Sequence, residues 1–133
     1  MASARILIAD DHAAARTAIR SELHRHNDLT VCGEASNGEE AIHQARSLNP
    51  DLIILDVMMP IKGGFAAARE IKKALPNIPI LLISTQNDGE IVRESKFTSV
   101  QGFISKFHIR SDLLKATDAL LRGETFFLDG NPV

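Results

Sequence analysis

Three acids, one hydroxyl and one amine stand where short apolar runs end. Asp10 and Asp11 follow Ile6-Leu7-Ile8-Ala9, and Asp56 closes Leu52-Ile53-Ile54-Leu55. Ser84 follows Ile80-Leu81-Leu82-Ile83, and Lys106 follows Gly102-Phe103-Ile104-Ser105. Runs of this kind suit strands buried on both faces of a parallel sheet. The ends of parallel strands point the same way, so side chains far apart in sequence converge on one pocket. Three carboxylates gathered there repel and raise one another's pKa unless a cation shares the site. Hard oxygen donors with positions to spare suit Mg²⁺, which keeps some waters and shares its sphere with a phosphate. An ionised, metal-flanked, accessible aspartate can attack phosphorus and hold an acyl phosphate. Lys106 would balance charge on an incoming phosphoryl group, and Ser84 would donate a hydrogen bond to one of its oxygens. Phosphoryl transfer asks mainly for positioning and charge neutralisation, and Asp56 is the centre around which these residues supply both.

The elements that must position these groups alternate as strand then helix, five times. The segment 13–26 carries Ala15, Ile19 and Leu23 on one helical stripe. Asn37 and Glu40 have capping-box spacing and open a helix with Ala41, Ala45 and Leu48 inward. Phe65, Ala68, Ile71 and Leu75 stay in register on a third helix. Asn87 and Glu90 repeat the capping spacing, but Ile91, Val92 and Phe97 are the only apolar content up to about Thr98. That fourth helix is expected to be the least firmly packed. The last helix, 111–122, buries Leu113, Ala116 and Leu120 and stops at Gly123. Strict alternation predicts an α/β, doubly wound sandwich with helices on both faces of a parallel five-stranded sheet. The two strands of mixed polarity, 30–35 and 101–105, belong at the edges. That gives the order 2-1-3-4-5, with Asp10, Asp11 and Asp56 side by side at the switch point.

Composition narrows the alternatives. The chain has 133 residues, 44% hydrophobic and 24% charged, which suits one globular domain. A formal net charge of -2 gives no global reason for nucleic-acid or bilayer binding. The single cysteine, Cys32, excludes an intrachain disulfide and is expected to fill space. No apolar run approaches the roughly 20 residues of a membrane span, and the start of the chain shows no signal-peptide pattern. A cytoplasmic location without membrane contact is expected. His12 lies beside the acid pair, but neither it nor His24, His26, His43 or His108 has ligand spacing, so no metal role is expected of them. Met58-Met59 and Phe126-Phe127 are read as packing. A Mg²⁺-dependent phosphatase commonly places a second acid two residues after its nucleophile, where this chain has Met58. A nucleotide or flavin site lacks the Gly-rich loop it would need after the first strand.

Taken together, Asp10-Asp11, Asp56-Val57-Met58-Met59-Pro60 with Gly64, Ser84-Thr85 and Gly102-Phe103-Ile104-Ser105-Lys106 resemble the signature of bacterial two-component response-regulator receiver domains. The resemblance implies a flavodoxin-like (βα)5 fold over residues 1–123. It implies that Asp56 accepts a phosphoryl group from a sensor histidine kinase with Mg²⁺ as cofactor. Asp10 and Asp11 would hold the ion, Asp11 the more directly, helped by Asp56 and the backbone carbonyl of Met58. Ser84 and Lys106 would bind phosphoryl oxygens, and Ser84 and Phe103 would form the switch. The family is not an enzyme class apart from self-catalysed phosphorylation and dephosphorylation. Three positions depart from its pattern: Phe103 lacks the hydroxyl of the common tyrosine, Thr85 is bulkier than the usual residue and narrows access, and Phe107 replaces a common proline. The segment around Leu120-Leu121-Arg122-Gly123-Glu124 is similar to receivers that precede a LuxR-type helix-turn-helix output. Residues 124–133 would then be a tail or the start of a linker, with DNA bound only through a missing output domain and homodimerisation on activation left open. The alternative is a pseudo-receiver acting only as a protein-interaction module.

Overall fold

The computed structural model describes residues 3–85 and 89–127. The elements in order are β1 (Ala4–Ala9), α1 (Ala13–Leu23), β2 (Leu29–Ala35), α2 (Gly38–Leu48), β3 (Leu52–Asp56) and α3 (Gly64–Ala74). They continue with β4 (Ile80–Ser84), α4 (Gly89–Phe97), β5 (Gly102–Ser105), a 3₁₀ turn (Lys106–His108), α5 (Ile109–Leu121) and β6 (Phe126–Phe127). Every strand pair is parallel, and the order is β2-β1-β3-β4-β5-β6. The five-stranded core is therefore the flavodoxin-like arrangement expected, and a short sixth strand extends it.

Period-two alternation divides the core between the two faces of the sheet. Ile6, Ile8, Leu52, Ile54, Leu81, Ile83 and Ile104 face α1 and α5, where they meet Ile19, Leu23, Leu113, Ala116 and Leu120. Leu7, Ala9, Ile53, Leu55, Ile80, Leu82 and Phe103 face α2, α3 and α4, where they meet Ala41, Ala45, Ala67, Ala68, Ile71 and Val92. With both faces covered, β1, β3 and β4 have no polar side to present, which is why they read as unbroken apolar runs.

Local signals explain several boundaries. The Asn37 side chain accepts a hydrogen bond from the Glu40 amide at 2.9 Å, as a helix cap should. The Glu40 carboxylate reaches back to Ser36, both amide and hydroxyl, one residue earlier than a capping box predicts. Gly123, at φ 85°, ends α5 in the left-handed conformation that favours glycine. Asn87 lies outside the described residues.

Two expectations about the sheet are corrected. Phe126-Phe127 do not simply pack: they pair with Gly102 and Phe103 as β6. Consequently β5 is not an edge strand, and all four of its residues are buried. At the opposite edge, the β1–β2 register shifts between Ile6 and Leu7, leaving Cys32 as the extra residue of a bulge. Cys32 is half-buried, and burial pushes its thiol pKa up.

Candidate functional site

The acid pair and Asp56 meet because β1 and β3 are neighbours. Ala9 pairs with Leu55, so the next residues, Asp10 and Asp56, emerge together at one end of the sheet. Asp10 is fully buried and Asp56 is only 3% exposed, more enclosed than an open nucleophile would be. The Asp10 amide donates to the Ala35 carbonyl at 3.0 Å, and Asp10 Oδ1 accepts from the His12 amide at 2.9 Å. Neither Asp10 nor Asp11 caps α1; His12 occupies the cap position without a side-chain bond.

Lys106 reaches this pocket from β5. Its Nζ donates to Asp56 Oδ2 at 3.1 Å and lies 2.7 Å from Asp10 Oδ2. The latter is an ion pair at a buried carboxylate oxygen. The turn that carries Lys106 is fixed by Ser105, whose Oγ accepts from the Phe107 amide at 3.1 Å. The Phe107 side chain points out to solvent. Ser84 is buried at the end of β4, in register with Ser105. Thr85 beside it is exposed. Phe103 is fully buried in the core beneath α2, α3 and α4.

The β3–α3 loop closes the pocket on another side. The Met58 amide donates to Asp56 Oδ1 at 3.3 Å. The Met58 side chain is 62% exposed, so it does not pack as expected, whereas Met59 does pack against the core. Gly64 opens α3 directly against the end of β3, and its amide donates to the Val57 carbonyl at 2.8 Å. A Cβ there would collide with the Asp56 carbonyl oxygen and lie 2.9 Å from Val57 Cα.

Electrostatics follow from this crowding. Burial, then the charge of Asp10, push the Asp56 pKa above the ordinary carboxylate range, and Lys106 and the Met58 amide only partly oppose them. Burial works against the Lys106 ammonium, but pairing with Asp10 and Asp56 outweighs it and raises its pKa. One ammonium thus serves two carboxylates. Asp10 Oδ2 and Asp11 Oδ1 are buried and accept no hydrogen bond from the described residues. Donor atoms of Asp10, Asp11, His12 and Asp56 all lie within 4.8 Å of one another. Surplus negative charge and a buried Asp11 oxygen that accepts no hydrogen bond from the described residues fit a hard divalent cation. Sequence spacing gives His12 no role, yet its Nδ1 lies 3.2 Å from Asp11 Oδ1 and 3.4 Å from Asp10 Oδ1. Its adjacency to the acid pair was the available signal.

Residues 6–118 match the model of the response regulator receiver domain family. The chain belongs to that family. Among curated receiver-containing relatives it is 36% identical, over 92% of its length, to the uncharacterized transcriptional regulatory protein YxjL of Bacillus subtilis, of which it covers 56%. It is 35% identical over the same share to the response regulator protein VraR of Staphylococcus aureus, of which it covers 59%. The chain thus spans less than three-fifths of the length of these relatives. Among solved structures it superposes on a LuxR-family two-component response regulator from Aurantimonas sp. with a TM-score of 0.90 and 26% identity, covering 94% of this chain and 89% of that one. The non-phosphorylated receiver domain of the stress response regulator RcsB from Escherichia coli gives a TM-score of 0.88 and 26% identity, covering 96% and 99%. No helix among the described residues of this receiver is long and apolar enough to cross a membrane.

Proposed function

We propose that this receiver is a phosphorylation-controlled switch in which Asp56 accepts a phosphoryl group from a sensor histidine kinase, with Mg²⁺ as cofactor. The observation that carries this reading is the meeting of Asp10, Asp11, Asp56 and Lys106 at one end of the sheet, with more carboxylate charge than Lys106 neutralises. Asp10 and Asp11 would hold the cation together with Asp56 and the Met58 carbonyl. The bound ion supplies charge neutralisation for the attacking carboxylate and the incoming phosphoryl oxygens. An Asp56 carboxylate oxygen forms a bond to phosphorus as the N–P bond of the donor phosphohistidine breaks, and the departing imidazole takes up a proton from solvent. Lys106 shifts from pairing two carboxylates to pairing the new phosphoryl oxygens, and Ser84 donates to another of them.

The acyl phosphate carries roughly -1.5 to -2 where the carboxylate carried -1, and up to about one extra negative charge is large for a buried pocket. The readout we assign is movement of α4, β5 and α5, with Ser84 and Phe103 as the switch and Thr85 at the entrance. The output is DNA binding through a further domain, in keeping with a relative named a transcriptional regulatory protein and longer than this chain. A cytoplasmic location fits a partner kinase that hands over phosphate there.

The test is intact-mass analysis after incubation with Mg²⁺ and acetyl phosphate. Wild type should gain one phosphoryl group; Asp56→Asn, or wild type without Mg²⁺, should gain none. Absence of the adduct from wild type, together with no binding of fluoroberyllate, would favour a protein-interaction module instead. Steady donor turnover without an adduct would favour a phosphatase.

A further inference from the structure

Asp11 holds a buried oxygen, Oδ1, that accepts no hydrogen bond from the described residues. Its one close side-chain neighbour is the largely exposed His12 imidazole, 3.2 Å away, so the place of that carboxylate is set largely by its backbone. The backbone is held from two sides: the Asp10 amide bonds to Ala35 on β2, and the Asp10 carbonyl accepts from Arg16 Nη1 at 2.7 Å. The peptide unit is planar, so fixing the Asp10 carbonyl also fixes the Asp11 nitrogen and the direction of its Cα. Arg16 is one turn into α1 and is itself anchored. Its Nε donates to Glu34 Oε1 at 2.9 Å, and Arg20 pairs with the other Glu34 oxygen. The Glu34 carbonyl accepts from Gln44 Nε2 at 2.7 Å, tying the group to α2. The Arg16 side chain is 21% exposed, so little of the guanidinium faces water.

We propose that Arg16 is a positioning residue for the acid pair. Its rigid guanidinium bonds at once to β2 and to the Asp10–Asp11 peptide, and so presets the two carboxylates for a divalent cation. The inference rests on the reading of this pocket as a Mg²⁺-dependent phosphoacceptor site. A flexible ammonium cannot hold both partners in one plane, so lysine is not an equivalent here. A plain staple between α1 and β2 would affect stability and leave the cation affinity of the folded protein unchanged.

The test is calorimetric titration of Mg²⁺ into wild type, Arg16→Met, Arg16→Lys, Glu34→Ala and the Arg16→Met/Glu34→Ala pair, with folding followed by circular dichroism. Arg16→Met should weaken Mg²⁺ binding by about 10–100-fold, the usual effect of losing a group that orients metal ligands. Arg16→Lys should lose at least about tenfold, near the lower end of that range. Glu34→Ala should lose less, because the bond to the Asp10 carbonyl survives, and the pair should be less than additive. Saturating Mg²⁺ should restore the initial rate of phosphorylation by acetyl phosphate in each folded variant. Folded Arg16→Met or Arg16→Lys with wild-type Mg²⁺ affinity overturns the proposal, whatever the change in melting temperature. Wild type that binds no Mg²⁺ and takes up no phosphoryl group overturns the phosphoacceptor reading beneath it.

Discussion

Lys106→Met is the sharpest perturbation of the pocket. The ammonium lies 2.7 Å from Asp10 and 3.1 Å from Asp56, and the three side chains are 16%, 0% and 4% exposed. Methionine keeps much of the stem and removes the charge. Breaking a buried ion pair from one side costs about 3–5 kcal/mol. The partial exposure of Lys106 puts the cost at the low end, about 3 kcal/mol, or roughly 10 °C in melting temperature for a domain of this size. The pH dependence has a definite sign. Asp56 already has a raised pKa, and losing the ammonium raises it further. A carboxyl whose folded pKa lies above its unfolded value binds more protons in the native state, so stability falls as pH rises through that window. The gap between variant and wild type should be small near the ordinary carboxylate pKa and widen toward neutral pH. Mg²⁺ should narrow it at neutral pH by replacing the missing positive charge. The chain has no tryptophan or tyrosine, so unfolding is best followed by circular dichroism at acid and neutral pH, with and without MgCl₂. A variant as stable as wild type at neutral pH without Mg²⁺, or a gap that does not depend on pH, would refute the reasoning.

The raised Asp56 pKa has a second consequence: Asp56→Asn should stabilise the apo domain near neutral pH by about 0.5–2 kcal/mol, measured by thermal unfolding, while abolishing phosphorylation. Ile61 has φ 70° and is 78% exposed, so Ile61→Gly removes strain and loses little burial; a gain of about 1 kcal/mol is expected in chemical denaturation. Gly64→Ala should cost about 1–3 kcal/mol or more and slow phosphorylation, because the new Cβ displaces the Asp56 carbonyl.

Much of the pocket is legible from pattern because its residues sit where buried strands must end. Asp10, Asp56, Ser84 and Lys106 each close an apolar run, and parallel pairing leaves them one end to share. Features that depend on non-local pairing were hidden. A two-residue strand such as β6 has no periodicity to detect, and its partner β5 lies more than twenty residues earlier. The exposure of Met58 was hidden for another reason: an apolar residue in a loop carries no information about which way it points. His12 escapes a criterion of ligand spacing along the chain, whereas the turn into α1 places its imidazole beside both acids. Arg16 gave no signal at all, since its two partners are the carbonyl of Asp10, just after β1, and the carboxylate of Glu34 on β2.

The same geometry bears on the proposed switch. Asp10 and Asp56 are enclosed at the ends of neighbouring strands, so water relieves their charge only poorly. Lys106 answers two carboxylates from the far side of β3 and β4, across strands that are themselves rigidly packed. A phosphoryl group on Asp56 would compete for that single ammonium. Lys106 stands at the junction of β5 and the turn into α5, so its movement bears directly on β5. Phe103 lies three residues back on that strand, paired in register with Leu82 of β4 on one side and with Phe127 of β6 on the other. On the proposed reading, a change of charge at Asp56 would have a short route to the segment beyond α5, through a strand buried along its whole length. Uncoupling that route without touching the pocket is the decisive case: Phe127→Asp should leave the yield of the Asp56 adduct unchanged and alter only the response of α5 and β6 to phosphorylation, read from backbone amide shifts. A lost adduct in a folded Phe127→Asp protein would place β6 within the acceptor site itself and end the argument for a relay.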